Sequence, residues 1–402
     1  MRISNEAKFT YYRLATFATR FLFIVFLTYK YDISDVGIYG LWSSIIVYFS
    51  ILSALDLYSF SERGSWLNRN GSLYFGNHIY LVMLSTLIFS PVILLLLNFY
   101  LVPWSIQVLI LIIIFLEVCS IELIRFLNFI GFRLQSSVAI FFKSSLWVYF
   151  FIACAIFWDL PIESIFYFWS LGGVLATVYS VIIVSHSGSS FTVSNFFSYI
   201  RQTLARSIPF FIGGLFLKSF FILDKLIISN DPHALGSYVV FSSIALGSLS
   251  LIDVFVYSRY YPRVLFAFTL SSHSFIRYVR FFTKITAQYC FSLSLILIVL
   301  ILAFFELNVS LEYRSYKISA ILLIVSFLLY YLSFVGHYIL YSMKMNRIVF
   351  VSNFLSVAPL FSLWVLGHAS FTDLTFTLFL SSFLLFSLKS IFSIYFLRGV
   401  VR

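Results

Sequence analysis

Twelve apolar segments, each long enough to cross a lipid bilayer, follow one another along the chain with only short polar breaks between them. A membrane-spanning helix needs about 20 apolar residues. Hydrophobic residues make up 61% of the 402 residues and charged residues 10%, so the chain has too few charges to cover a globular surface of this size. We therefore predict an all-α polytopic membrane protein with about twelve transmembrane helices. The predicted spans are residues 9–29, 36–60, 74–100, 104–127, 137–158, 162–184, 208–229, 236–258, 285–305, 318–342, 347–367 and 373–397.

The positions of Lys and Arg predict how the chain lies in the membrane. An even number of spans places both termini on one side, and that side carries nineteen Lys and Arg residues. The opposite side carries four, namely Lys30, Lys225, Arg314 and Lys317. Because cytoplasmic loops are enriched in Lys and Arg, we expect both termini in the cytoplasm. The net charge of +11 follows mainly from this asymmetry and does not indicate nucleic-acid binding.

Neither a disulfide framework nor a metal site is expected from the cysteines. Cys119, Cys154 and Cys290 lie within or at the edge of predicted spans, without paired spacing and without a histidine cluster beside them. Nothing in the sequence resembles the Walker loop that binds ATP phosphates. We expect no cofactor and no catalytic residues, and we interpret the chain as a transport protein and not an enzyme.

A repeated motif predicts two six-helix lobes. Residues 37–45 read GIYGLWSSI in the second span and residues 236–244 read GSYVVFSSI in the eighth, 199 residues further on. An offset of six helices gives both lobes the same orientation, related by an axis along the membrane normal. We expect an N-terminal lobe over residues 1–184, a cytoplasmic linker over 185–207 and a C-terminal lobe over 208–402.

Two cations lie near the middle of equivalent spans. Arg20 is in the first span and Lys218 in the seventh, at matching positions when the repeats are aligned. A charge at this depth costs at least about 2.5 to 3.5 kcal/mol on insertion scales, so each side chain should face a wet cavity or a charged partner. We expect the two to form a cationic substrate-binding cavity for an anion, because both groups bind phosphate oxygens. The alternative is structural neutralisation, for Arg20 by Glu117 in the fourth span.

Other charged residues in or beside the spans have more than one interpretation. Glu117 could couple transport to protons, because burial disfavours a charged carboxylate, and Asp224 could serve as a coupling group or counter-ion. Glu122 and Arg125 are expected to form a local ion pair near the cytoplasmic edge. The stretch 266–284 mixes aromatic and basic residues and predicts an interfacial amphipathic helix. Acids and arginines in each lobe either latch the lobes or cap helices; these are Asp56, Arg63, Asp253 and Arg259.

Four short motifs lie at a defined spacing within the predicted spans. They are DVGIYGL at residues 35–41, SIPF at 207–210, LDK at 223–225 and LGSY at 235–238. With these motifs the chain resembles the polysaccharide exporter family, the Wzx-type O-antigen flippases of the multidrug, oligosaccharidyl-lipid and polysaccharide exporter superfamily. The resemblance covers the whole chain in topology, whereas each motif match is short.

The resemblance implies a function and a location. It implies a bacterial inner-membrane protein that moves an undecaprenyl-pyrophosphate-linked oligosaccharide from the cytoplasmic to the periplasmic leaflet by alternating access. It also implies a positively charged central cavity, onto which Arg20 and Lys218 map by position. The implied partners are the lipid-linked oligosaccharide, membrane lipids, and the polymerase and chain-length regulator of surface polysaccharide biosynthesis.

Two other functions stay open at this point. The first is an ion-coupled exporter of small molecules or drugs, either from the same superfamily or from the major facilitators, which also have twelve spans in two parallel repeats. The loop pattern of the major facilitators is not convincingly met by residues 56–71. The second is a membrane-embedded polysaccharide polymerase, which is disfavoured because the predicted outer loops are too short to carry a catalytic site.

Overall fold

The computed structural model describes residues 5–55, 71–100, 102–187, 193, 195–306, 316–367 and 369–401. Over these residues the chain forms fourteen α-helices and two π-helical segments. The α-helices are α1 Asn5–Lys30, α2 Ile33–Ala54, α3 Gly71–Phe99, α4 Trp104–Phe129, α5 Arg133–Phe141, α6 Trp147–Phe157, α7 Ser164–His186, α8 Phe196–Ile227, α9 Pro232–Ile252, α10 Ser258–Leu270, α11 Ser272–Glu306, α12 Lys317–Ser342, α13 Asn346–Leu366 and α14 Phe371–Val401. The π-helical segments are π1 Phe142–Leu146, between α5 and α6, and π2 Asp253–Tyr257, between α9 and α10.

Every predicted span coincides with helix over its described residues, except for one or two residues at some span ends. Among the described residues, nine helices are long and apolar enough to cross a membrane, counting α5, π1 and α6 as one. The first, seventh and eighth predicted spans correspond to α1, α8 and α9, which have 26, 32 and 21 residues. Helices α1 and α8 are less apolar because they carry charges. The all-α fold with about twelve transmembrane helices is confirmed.

Local sequence signals fix several helix ends. Asp231 precedes Pro232 at the start of α9, and its Oδ1 accepts the backbone N–H groups of His233 at 3.1 Å and Ala234 at 3.0 Å. These are the N-cap acceptor and first-turn proline that helix starts favour. Ser370 and Asp373 form a reciprocal capping box at the start of α14. After α13 the chain turns at Gly367, whose φ of 76° suits glycine.

The first compact unit comprises residues 1–31 and 42–211, and α4 is its most buried helix. The ring of Phe75 on α3 stacks on Phe126 of α4 with centroids 3.8 Å apart. Helix α7 approaches α4 closely at Gly173, where an added Cβ would lie 3.0 Å from Leu116 Cβ. Small residues at such contacts are how membrane helices pack, since lipid supplies little hydrophobic driving force between them.

The second compact unit comprises residues 32–41 and 212–402. Its most buried spanning helix is α12, which packs against α14, α11, α9 and α13. Helices α12 and α14 come close at Gly336, where an added Cβ would lie 2.9 Å from the carbonyl oxygen of Lys389. The backbone of Lys389 therefore packs directly against α12 at Gly336.

The structure differs from the sequence interpretation in two connecting segments. Helix α8 begins at Phe196, inside the stretch 185–207 that was predicted to be a linker. The predicted interfacial helix over 266–284 is wrong: α10 ends at Leu270, and the following residues form the first turns of the long helix α11. The break lies at Ser271, which is extended and whose hydroxyl accepts the Ser274 backbone N–H as an N-cap.

The first residues of the two copies of the repeated motif meet within the second unit. An added Cβ at Gly37 on α2 would lie 2.9 Å from the backbone nitrogen of Gly236 on α9 and 2.9 Å from the carbonyl oxygen of Pro232. An added Cβ at Gly236 would overlap the carbonyl group of Ile33. Glycine at both positions therefore allows the starts of α2 and α9 to touch through their backbones.

We expect Gly236→Leu to separate the starts of α2 and α9, because its side chain would occupy the place of the Ile33 carbonyl. Overpacking of this kind costs about 1–3 kcal/mol or more. The measurement is thermal unfolding of the purified protein in detergent. The control is Gly399→Leu, since an added Cβ at Gly399 meets nothing within 4 Å. Equal melting temperatures for both variants would contradict the contact.

Candidate functional site

Arg20 lies on α1 at the edge of the helix face that packs in the first unit. Thr19, the preceding residue, is fully buried, and its hydroxyl donates to the Ala15 carbonyl at 2.7 Å and bonds the Tyr149 hydroxyl at 2.9 Å. Phe23, one turn later, packs against Trp147 with ring centroids 5.3 Å apart. These contacts fix the rotation of α1, and they leave the Arg20 side chain exposed.

Lys218 lies on α8 in the second unit and is half-buried. Its neighbours Leu217 and Phe220 are buried in that unit. Phe216 anchors the same stretch of α8 against α13, with its ring 5.0 Å from the Phe354 ring. The cation at this position is thus held on a packed helix and keeps part of its surface accessible.

Glu117 is paired in the structure, but not with Arg20. Its Oε2 lies 2.5 Å from the Nζ of Lys143, and its Oε1 accepts a hydrogen bond of 2.8 Å from the Trp169 indole. The Lys143 side chain is 11% exposed and that of Glu117 9%, so the pair is largely shielded from solvent. Both carboxylate oxygens are therefore satisfied within the first unit. The cation that neutralises Glu117 is Lys143 and not Arg20.

The π-helical segment π1 positions this pair. Lys143 is the second residue of this segment. The Trp147 ring stacks on Trp169 at 5.9 Å, and Gly172 on α7 lies close to both Trp147 and the Phe142 carbonyl. Such π segments occur often at functional sites.

A second buried charged cluster surrounds Glu122 on α4. Arg125 Nη1 lies 2.6 Å from Glu122 Oε1, which is the local ion pair expected from the sequence. His78 on α3 occupies the other side, with its Nε2 2.7 Å from Glu122 Oε2. The Tyr199 hydroxyl lies 3.3 Å from His78 Nδ1. Sequence reasoning missed His78, although a histidine within the third predicted span was visible.

Asp224 lies near the end of α8 and is fully buried in the second unit. The Tyr238 hydroxyl on α9 donates to its Oδ2 at 2.5 Å, and the Lys225 backbone N–H donates to its Oδ1 at 2.7 Å. The Lys225 ammonium lies 3.4 Å from Oδ2 and 5.6 Å from the centre of the Tyr238 ring. Two of the motifs, LDK and LGSY, therefore meet at one hydrogen-bonded cluster that joins α8 to α9.

We expect Tyr238→Phe to destabilise the second unit, because the variant removes a hydrogen bond to a buried carboxylate. Hydrogen bonds to charged groups contribute about 1.5–3 kcal/mol. The measurement is thermal unfolding in detergent, compared with Tyr167→Phe, whose side chain is 55% exposed. If both phenylalanine variants unfold at the wild-type temperature, the Asp224 cluster contributes nothing to stability.

The predicted latch residues are described only in part. Asp56 and Arg63 lie outside the described residues. Asp253 is exposed at the first position of π2, and Arg259 is exposed on α10 with its guanidinium 5.7 Å from the Tyr260 ring centre. The latch stays a prediction.

Sequence reasoning also passed over Lys389, on α14. Its side chain is fully buried, and within the described part of the chain its Nζ makes no hydrogen bond. The sequence does single out Lys389, because it is the one cation within the last predicted span, residues 373–397.

Three solved structures show the fold to which this chain is similar. A eukaryotic MATE transporter, AtDTX14, aligns over 97% of this chain and 95% of its own, with a TM-score of 0.60 and 15% identity. A multidrug resistance MATE family transporter of the MOP superfamily, in an outward-facing conformation, aligns over 98% and 93%, with a TM-score of 0.57 and 11% identity. The Vibrio cholerae MATE transporter VcmN aligns over 98% and 95%, with a TM-score of 0.57 and 12% identity.

Neither a protein-family model nor a curated protein sequence matches this chain. At the identities of the solved structures the likeness defines the fold. The chain is a multi-pass membrane protein with the fold of the MATE transporters.

Proposed function

We propose that this protein is a flippase of the multidrug, oligosaccharidyl-lipid and polysaccharide exporter superfamily. It moves an undecaprenyl-pyrophosphate-linked oligosaccharide across the bacterial inner membrane by alternating access, with both termini in the cytoplasm. The substrate leaves the cytoplasmic leaflet and reaches the periplasmic leaflet, where polysaccharide polymerisation uses it. The MATE transporter fold supports a transport cycle, and the family motifs support this substrate.

The observation that carries the proposal is the exposed guanidinium of Arg20 in the middle of α1. Glu117, the carboxylate considered as its partner, is committed to Lys143 and Trp169. Among the described residues, no carboxylate forms an ion pair with Arg20. A charge kept in a transmembrane helix at this cost is by default functional, and an anionic substrate is the partner that this cation fits.

The chemistry of the substrate explains why a cation is needed. Pyrophosphate and sugar hydroxyls cannot enter hydrocarbon without hydrogen-bond partners. Arg20 can bind phosphate oxygens through two parallel N–H groups, and Lys218 adds a compact positive charge. In this proposal both side chains bind the pyrophosphate, and the polyprenyl tail stays in the lipid.

A drug exporter is the second candidate, and one observation favours it. The solved structures with this fold include a multidrug resistance transporter. In a drug exporter Lys218 would not bind a pyrophosphate, whereas Glu117 and Asp224 could still serve as coupling groups.

The two candidates separate in one reconstituted system. Proteoliposomes containing the purified protein receive a labelled polyprenyl-pyrophosphate oligosaccharide, and its appearance in the opposite leaflet is followed with an added glycosidase. Parallel proteoliposomes are loaded with a fluorescent cationic drug, and protein-free liposomes are the control. We expect translocation of the lipid-linked oligosaccharide only where the protein is present. Drug movement without oligosaccharide translocation would replace the flippase by the drug exporter.

A further inference from the structure

Lys389 lies in the tightly packed contact between α14 and α12 of the second unit. Its side chain is fully buried, and it belongs to a buried stripe on α14 that includes Leu378, Ser382, Leu385 and Ser393. The added Cβ of Gly336 on α12 would lie 2.9 Å from the Lys389 carbonyl oxygen, so the two backbones are close at this level.

The amine of Lys389 faces aromatic rings. Its Nζ lies 5.9 Å from the centre of the Phe334 ring on α12. Phe334 is the centre of an aromatic cluster, and its ring contacts those of Tyr257, Tyr330, Tyr331, His337 and Tyr338. The hydroxyl of Tyr330 is buried and, like the Lys389 amine, has no hydrogen-bond partner in the described part of the chain.

The other buried lysines of the spans are arranged differently. Lys143 lies 2.5 Å from Glu117, and Lys225 lies 3.4 Å from Asp224. A buried ammonium without a carboxylate or other acceptor is costly, and a cation–π contact of about 2 kcal/mol offsets only part of that cost. The surroundings of Lys389 therefore accept a charged amine poorly, whereas those of Lys143 and Lys225 are built for one.

The titratable groups of this aromatic cluster, and those electrostatically close to its Tyr257, come from several elements. Helix α12 contributes four of them, π2 contributes two and α11 one; these are Tyr330, Tyr331, His337, Tyr338, Tyr257, Asp253 and Cys290. The described residues of α13 add only Arg347, which is exposed. Those of α9 add Tyr238, which is bonded to Asp224, and His233, which is exposed at the start of the helix. On α14 itself the other charged side chains, Asp373 and Arg398, lie near the helix ends.

We propose that Lys389 is a proton-binding site of the second unit, at which protonation and conformation are linked. The amine takes up a proton when α12 and α14 separate enough to admit water, and it releases that proton when they close around it. This inference rests on the proposed transport function for its role, which is to couple the conformational cycle to a proton gradient. The linkage itself is a property of the protein without substrate.

Two substitutions at Lys389 distinguish a proton site from a packing role. Lys389→Met keeps an unbranched side chain of similar length and is never charged, so it corresponds to the closed state at every pH. Lys389→Arg is charged at every pH and corresponds to the open state. The matched control is Lys317→Met on α12, because the Lys317 side chain is 41% exposed and its ion pair with Glu306 is at the surface.

The measurement is hydrogen–deuterium exchange of α12 and α14 peptides in detergent at pH 6 and pH 9, corrected for intrinsic exchange. In the wild type and in Lys317→Met we expect protection to fall by about tenfold or more at pH 6, since opening of these helices then accompanies protonation. Lys389→Met should stay protected at both values, and Lys389→Arg should be poorly protected at both.

A pH response of wild-type size in Lys389→Met would overturn the proton site. If the methionine variant does not fold, Lys389→Gln takes its place, and the same result in that variant has the same meaning. Because the experiment uses no substrate, a failure of the flippase assay and a failure of this inference are seen separately.

Discussion

Replacement of Arg20 and Lys218 by alanine together is expected to abolish translocation of the lipid-linked oligosaccharide while the protein still inserts and folds. Each charged hydrogen bond to the pyrophosphate contributes about 1.5–3 kcal/mol, and 1.4 kcal/mol corresponds to about tenfold in affinity. The double variant should therefore lose about 100-fold or more. The Arg20 side chain is exposed and the Lys218 side chain is half-buried, and this is why folding should be spared.

Two further variants test whether the positive charge at Arg20 is enough or whether its two parallel N–H donors are also needed. Arg20→Lys keeps the charge but not the two parallel N–H donors, so we expect partial activity. Lys284→Ala removes an exposed cation from α11, outside the candidate site, and should transport at the wild-type rate. The proteoliposome assay measures translocation by the wild type, the double alanine variant and these two single variants. Wild-type transport by the Arg20, Lys218 double variant would keep the flippase and discard the cationic site.

The second large effect is expected at the buried pair of Glu117 and Lys143. Lys143→Met leaves the Glu117 carboxylate buried without its cation, and breaking a buried pair in this way costs about 3–5 kcal/mol. The double variant Glu117→Gln, Lys143→Met should recover much of that loss, because no unpaired charge is left. Thermal unfolding in detergent over the complete double-mutant cycle measures the coupling between the two side chains.

An exposed pair provides the comparison. Lys30 lies 3.3 Å from Asp159, whose side chain is 98% exposed, so Lys30→Met should cost no more than about 1 kcal/mol. The stable double variant also tests the coupling role of Glu117. If it is folded and transports normally, Glu117 has only a structural role; if it is folded and inactive, the carboxylate takes part in the transport cycle.

The sequence was sufficient to predict the membrane-spanning helices, but it did not predict which side chains of different helices contact one another. Glu122 with Arg125 could be predicted because residues three apart on a helix lie on one face. The partners of the other charged groups lie on different helices: Glu122 with His78 is separated by 44 residues, and Trp169 with Glu117 by 52. The rotation of each helix about its axis decides such contacts, and an apolar run of nearly uniform hydropathy does not specify that rotation.

The sequence by itself determined that this is a membrane protein with about twelve helical spans. The reason is physical: the bilayer demands about 20 apolar residues per span and requires backbone hydrogen bonds to close within each helix. The tertiary structure alone decided that Glu117 pairs with Lys143, that Asp224 joins α8 to α9 through Tyr238, and that Lys389 is buried without an acceptor among the described residues. These outcomes depend on how closely the helices pack against one another, and glycines such as Gly173 and Gly336 allow close approach.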